Sequence, residues 1–267
     1  MQIAVIIAAA GASRRFSEPG DFGARSKLDE DLGGRPVLQR SVELFNKRTE
    51  VSEIIVAGPE SAPAFAAFSD RHGDKLGLIG ARLCRGGATH RYETIAAALQ
   101  LVDASATHVA VHDGARPCPS EVLIDRVFRA AESFPAVVPG IDVSDTIKRV
   151  SALHTPPPKA DPLAEILGAG ANDADAARMV EQTLDRRNLV AVQTPQVFEL
   201  ALLRRAYAQK DLVSTDDAEL VERLGQPVAV VDGEVTNIKI TRPADLLLAR
   251  AILRLLPPSQ RETHKKF

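Results

Sequence analysis

The stretch Ile3-Ala4-Val5-Ile6-Ile7-Ala8-Ala9-Ala10-Gly11-Ala12-Ser13-Arg14-Arg15 decides the fold class. Its first six residues are all apolar, three are Ile and one Val, and no polar residue interrupts them, so the strand they form must be covered on both faces. Similar runs recur at Glu53 to Ala57, His108 to His112, Ala136 to Val138 and Pro227 to Val231. Helical patterns separate or follow them: Val37 to Arg48, Ala62 to Arg71, Tyr92 to Val102, Ser120 to Ser133, Leu200 to Gln209, Thr215 to Leu224 and Pro243 to Leu255. Strands alternating with helices predict an α/β protein with a Rossmann-like, doubly wound, mostly parallel sheet. Functional residues are then expected just after the strands, where loops gather at the carboxyl ends.

The segment from Val143 to Val192 breaks this rhythm. It holds Pro156-Pro157-Pro158 and the small-residue run Gly168 to Asp175, while its two ends read as strands. We therefore predict one domain over 1–256 with an arm inserted at about 143–192, followed by a polar tail over 257–267 after Pro257-Pro258.

Composition narrows the partners. The 267 residues carry 33 Lys and Arg against 35 Asp and Glu, a net charge of −2. That balance argues against a broadly basic nucleic-acid binder. With no Trp and 4% aromatics, a platform for stacking single-stranded bases is not expected. Nothing approaches the ~20 apolar residues of a membrane span, and the N-terminus lacks the pattern of a signal peptide. Cys84 and Cys118 are too few for a zinc site or a disulfide framework, so both are expected as free thiols in a cytoplasmic protein.

Four segments carry chemistry. The small residues Ala8 to Ser13 let backbone N–H groups approach a ligand, and Arg14, Arg15 and Lys27 add positive charge suited to polyphosphate. The loop lacks the Gly-Lys-Ser/Thr of a Walker A motif and the third glycine of a dinucleotide fingerprint. In Val111-His112-Asp113-Gly114-Ala115-Arg116-Pro117, Asp113 either places a magnesium ion against phosphate oxygens or caps the helix beginning near Ser120. Gly86-Gly87 leads into a helix whose N-terminus favours anions, and its simpler reading is a capped turn. Thr236-Asn237-Ile238-Lys239 puts an amide and a lysine at the end of the last strand, where a solvated lysine is the simpler reading. His108 and His112 flank a strand, too far apart to ligate one metal, and His112 is expected to hold the Asp113 loop.

The pieces AAGASRR, SK, LGGRPVL, GGATHRYET, VHDGARP, DTIKR, QTPQVF, TDDAELVERLGQPVAVVDG and NIKITRPADL, in this order from residue 9 to about 250, resemble the 2-C-methyl-D-erythritol 4-phosphate cytidylyltransferases. The resemblance implies a fold of the nucleotide-diphospho-sugar transferase type with a protruding dimerisation arm. It also implies a Mg2+-dependent reaction joining CTP to a sugar-alcohol phosphate with release of pyrophosphate. Arg15, Lys27 and Lys239 would then be catalytic cations, Asp113 the magnesium ligand, and Ala10, Gly11, Gly87 and Thr94 the cytidine contacts. Arg116 would help fix the acceptor. Thr146, Arg186 and Thr194 would reach the acceptor phosphate across a homodimer in which two subunits share each site. Two further readings accompany this one: the sister activity on ribitol 5-phosphate, and a nucleotide-binding homologue without turnover. The chain departs from the family pattern at Ser13 and Ala98, where glycine is usual, and carries extra residues at about Ser17 to Ala24.

Overall fold

The computed structural model describes residues 1–11, 13, 16, 26–154 and 176–255. Arg15, the extra residues of the first loop, the Pro156 to Pro158 and Gly168 to Asp175 runs and the C-terminal tail lie outside the described residues.

Strand β1 (Ile3–Ala8) is buried along nearly its whole length. Ile3, Val5 and Ile7 enter one apolar cluster, and Ala4 and Ile6 enter a second on the opposite face. This is the structural meaning of an uninterrupted apolar run: successive side chains point to opposite faces, and each face has its own core. The first core is closed by Val37, Leu38 and Val42 of α1 (Val37–Glu43), Phe68 and Leu76 of α2 (Ala62–Leu78), Leu123, Ile124 and Val127 of α4 (Glu121–Ala131), and Leu246 and Ala249 of the last helix, α7 (Pro243–Ile252). The second is closed by Ile95, Ala98 and Leu99 of α3 (Arg91–Leu99), Leu202, Leu203 and Ala206 of α5 (Leu200–Tyr207), and Leu220 and Val221 of α6 (Asp217–Glu222). The sheet is doubly wound.

Its strands run in the order β10 (Ala229–Asp232), β5 (Ala136–Asp142), β9 (Gln196–Glu199), β4 (His108–Asp113), β1, β2 (Val51–Gly58) and β3 (Ala81–Arg85). All pairings along this path are parallel except those of β9, which runs antiparallel to both β4 and β5. Two of these strands go beyond the sequence reading. β3 is an edge strand with exposed arginines, and β9 is only four residues long. Helix α2 continues seven residues past Arg71, through Gly73 and Gly77, because Leu76 is fully buried in the core.

The chain divides into two compact units, residues 1–141 with 192–267, and residues 142–191. Within the second unit, β6 (Lys148–Val150) pairs antiparallel with β7 (Val180–Thr183), and a further bridge joins His154 to Ala177. All seven residues of the pair are exposed. Of the two ends of the arm expected as strands, the second is one: β8 (Val190–Val192) pairs with β5 off the main path of the sheet. At the first end Val143 begins irregular chain after β5, and the strand there is β6 at Lys148–Val150.

Candidate active site

Register builds the site. Ala8, Ala57 and Asp113 stand side by side at the carboxyl ends of β1, β2 and β4. The Gly114 N–H donates to the Ala8 carbonyl at 3.0 Å and the Gly86 N–H to the Gly58 carbonyl at 2.9 Å, which carries the three following loops to one edge. There they enclose a cavity of about 620 Å³, within the usual size of a small-ligand site. Its wall includes Ala10, Gly11, Ser13, Lys27, Gly87, Arg91, Thr94, Asp113 and Lys239.

The first two loops offer backbone. Among the described residues, a Cβ at Gly11 would meet nothing within 4 Å. A Cβ at Gly87 would stand 2.1 Å from that of Glu93, so only glycine lets this loop fold back on α3. The Gly87 N–H donates to Thr94 Oγ1 at 3.2 Å, while Glu93 Oε2 accepts from the N–H groups of Thr89 and His90. Ser13 sits in the left-handed region at φ +53°, the conformation a glycine takes freely, and its Oγ accepts the Lys27 N–H at 3.3 Å.

Asp113 is the charged centre, at 7% exposure. Lys239 Nζ lies 2.8 Å from Oδ2, Arg91 Nε 3.1 Å from Oδ1, and Arg116 Nε 3.6 Å from Oδ2. Burial alone would raise its pKa, but Arg91, Lys239 and Arg116 together outweigh it and hold the carboxyl far below the usual range. It is not a helix cap: Ser120 Oγ fills that place for α4 by accepting the Leu123 N–H at 3.0 Å. Arg116 lies behind Asp113, off the cavity wall, and donates to the Asn237 carbonyl at 2.7 Å. The Ile240 N–H donates to the Ala115 carbonyl, and this bond docks Lys239 beside the carboxylate.

His112 holds the loop from below. It is fully buried, with Nε2 2.9 Å from the Arg116 carbonyl and Nδ1 3.0 Å from Thr194 Oγ1. Since a carbonyl only accepts, Nε2 carries the proton. Nδ1 then accepts from the Thr194 hydroxyl, which itself accepts the Asp113 N–H at 3.1 Å. Burial pushes the His112 pKa down to about 4, which keeps the ring neutral and this chain of bonds consistent.

The structure thus brings Lys27, Lys239, Asp113, Ala10, Gly11, Gly87 and Thr94 to one wall, and sets Arg116 just behind it. Thr194 belongs to the first unit, where it is buried and its hydroxyl is engaged on both sides. Thr146 and Arg186 lie in the second unit, both exposed, next to the end of the β6–β7 pair where the Leu184 N–H donates to the Ile147 carbonyl. Arg15 lies outside the described residues. Arg91 joins the site, together with Asp217 and Tyr207 behind it. The pair Asp216-Asp217 was visible inside the TDD motif, but nothing local distinguishes a helix cap from a buried carboxylate. Among the described residues no three His, Cys, Asp or Glu side chains converge to hold a metal, and no helix is long and apolar enough to cross a membrane.

A doubly wound sheet whose strand ends surround an open cavity with backbone amides, cations and one buried carboxylate defines an enzyme of the nucleotidyltransferase class. The sequence model of the IspD family, 2-C-methyl-D-erythritol 4-phosphate cytidylyltransferase, matches residues 3–156 and 165–255. The chain belongs to that family. It is similar to the protein of that name from Frankia casuarinae, 36% identical over 97% of this chain and 84% of the relative. The protein of that name from Rhodopirellula baltica is 34% identical over 94% of each chain. The crystal structure of 2-C-methyl-D-erythritol 4-phosphate cytidylyltransferase from Thermus thermophilus superposes with a TM-score of 0.66 at 33% identity, over 96% of this chain and all of the other.

Proposed function

We propose that the protein joins CTP to 2-C-methyl-D-erythritol 4-phosphate, giving 4-CDP-2-C-methyl-D-erythritol and pyrophosphate. The observation that carries this reading is the gathering of Lys27, Arg91, Lys239 and Asp113 on one cavity wall with residues 8–11, 87–90 and Thr94. An oxygen of the acceptor phosphate attacks the α-phosphorus of CTP, and the bond from that phosphorus to the β-bridging oxygen breaks. Such transfers depend on positioning and on stabilising charge rather than on protein nucleophiles. Lys27 and Lys239 supply cationic charge to the phosphoryl oxygens, with Arg15 added by the family motif. Ala10, Gly11, Gly87 and Thr94 hold the cytidine.

Asp113 suits Mg2+, since this ion takes one or two protein carboxylates and completes its shell with phosphate oxygens and water. When bound, it would neutralise charge on the triphosphate as pyrophosphate departs. Arg116 lies behind Asp113, where it sets the carboxylate's position, and Thr194 does the same through the Asp113 N–H. We assign the unit at 142–191 to the contact between two copies of the chain, with Thr146 and Arg186 offered to the acceptor phosphate of the other copy. The exposed apolar side chains Leu153, Met179 and Val180 support a second copy as the cover of this hairpin. The enzyme is placed in the cytoplasm, where CTP is made and two buried thiols stay reduced.

The test is product analysis with purified protein, Mg2+, all four nucleoside triphosphates, and methylerythritol phosphate or ribitol 5-phosphate. A CDP-methylerythritol product with equimolar pyrophosphate is expected. A CDP-alcohol formed only from ribitol phosphate would overturn the acceptor, and no product from either would overturn the activity.

A further inference from the structure

Asp217 is fully buried, yet it is not the cap of its helix. Asp216 takes that role, accepting the Glu219 N–H at 3.0 Å and the Gln196 side chain at 2.9 Å. Asp217 instead turns inward. Its Oδ2 lies 2.6 Å from Arg91 Nη1, and its Oδ1 accepts the Tyr207 hydroxyl at 2.5 Å. Arg91 continues the line, with Nε on Asp113 at 3.1 Å and its guanidinium on the cavity wall. Four side chains from α5, α6, α3 and the end of β4 therefore form one polar chain, Tyr207 to Asp217 to Arg91 to Asp113. It runs from the second core to the site.

The two carboxylates that hold Arg91 differ in what else they touch. Asp113 is shared with Lys239 and Arg116 and faces the cavity, so a polyphosphate or cation arriving there competes for its oxygens. Asp217 has no exposed surface, and its other oxygen is occupied by Tyr207, so nothing from the cavity competes for it. A buried carboxylate with no structural duty as a cap is costly unless paired, and here its charged partner is Arg91. Arginine has five N–H donors in a rigid fork, so fixing Nη1 fixes the direction of the rest. Burial alone would lower the Arg91 pKa, but Asp217 and Asp113 outweigh it and keep the guanidinium charged.

We infer that Asp217 and Tyr207 are positioning residues that hold Arg91 against the triphosphate of the bound nucleotide while Asp113 changes partners. The inference rests on the nucleotide-binding part of the function proposed above. It adds a fixed anchor, remote from substrate, to a site otherwise made of strand-end loops.

A double-mutant cycle on CTP affinity, measured by titration calorimetry without acceptor, tests it. Arg91→Ala is expected to weaken CTP about 30-fold, Asp217→Asn about 10-fold and Tyr207→Phe about 3-fold. Asp217→Asn combined with Arg91→Ala is expected to bind no more weakly than Arg91→Ala alone, because Asp217 acts only through the arginine. In steady state, Tyr207→Phe should raise KM for CTP and leave KM for the acceptor unchanged. Multiplicative losses in the double variant, or equal changes in both KM values, would overturn the inference. If Asp217→Asn does not fold, judged by circular dichroism, the cycle is run with Tyr207→Phe, which removes one hydroxyl. Non-additive CTP binding without turnover on any acceptor would defeat the proposed reaction and leave the anchor standing. Wild-type protein that binds no nucleoside triphosphate would overturn both.

Discussion

The Asp113 cluster and the β6–β7 hairpin are opposite solutions to carrying polar residues. Around Asp113 most polar groups are buried and hydrogen-bonded: Asp113, His112, Thr194, Asp217 and Asn237 are each 7% exposed or less, and among the described residues Asn237 Oδ1 and Arg116 Nε are the buried atoms left without a hydrogen-bond partner there. In the hairpin every strand residue is exposed, and the ion pair beyond it, Asp185 with Arg187, stands in water. Isolated two-stranded hairpins are marginal in water, whereas a satisfied buried network is rigid and costly to disturb. A region of the first kind carries its geometry in itself. One of the second kind needs a surface from elsewhere to order its side chains, which is why we give it the role of a contact between copies.

The contrast can be attacked in order of effect. The largest is expected from Lys27→Ala, which removes a wall cation and should lower kcat about 10²–10³-fold, the scale of losing one preorganised stabiliser of developing charge. The mass of the protein in solution should stay unchanged; near-normal kcat would take Lys27 out of the reaction. Next comes acid. His112 has a folded pKa of about 4 against 6.5 unfolded, so the unfolded chain binds the extra proton between those values. Stability is then complete above pH 6.5 and falls by up to about 3 kcal/mol as pH drops to 4. Chemical denaturation across that range checks it, and His112→Asn should flatten the dependence there.

Arg186→Ala probes the other region. It should raise KM for the acceptor about tenfold while the affinity for CTP is unchanged, because the residue belongs to the exposed unit rather than the nucleotide wall. Parallel loss of both substrates would merge the two regions into one. The smallest effect is expected at Ser13. Ser13→Gly relieves a left-handed φ worth about 1 kcal/mol and gives up one hydrogen bond of similar size, so stability should move by less than about 1 kcal/mol in denaturant titrations.

Much of this site was legible along the chain because loops after parallel strands are local in sequence. Asp113 follows β4 directly, Gly11 follows β1, and Gly87 precedes α3. Each could be placed from its neighbours and from small or charged residue types at one strand end. Strand β3 escaped because an edge strand needs only one covered face, and Arg82 and Arg85 hide its apolar positions. Strand β9 escaped because four residues after Thr194-Pro195 give no periodicity, and an antiparallel strand inserted between β4 and β5 leaves no mark in an alternating pattern. In the arm, the apolar run at Val190 to Val192 announced β8, whereas the β6–β7 pair, exposed throughout and apolar only at Val150 and Val180, carried no such signal.

The sequence by itself determined the layered α/β class, since an uninterrupted apolar run such as Ile3 to Ala8 can be satisfied only between two cores. It also determined the charge types at the strand ends, and through its ordered motifs the family. Only the tertiary structure decided who holds whom. Arg91 meets Asp217 across 126 residues and Thr194 meets His112 across 82. Such pairings are set by how helices close over a sheet, and short-range residue patterns carry no signal for them. For the same reason Asp113 was open to two readings in the sequence, helix cap or magnesium-holding carboxylate, until Ser120 took the cap; that three cations surround the carboxylate was in neither reading.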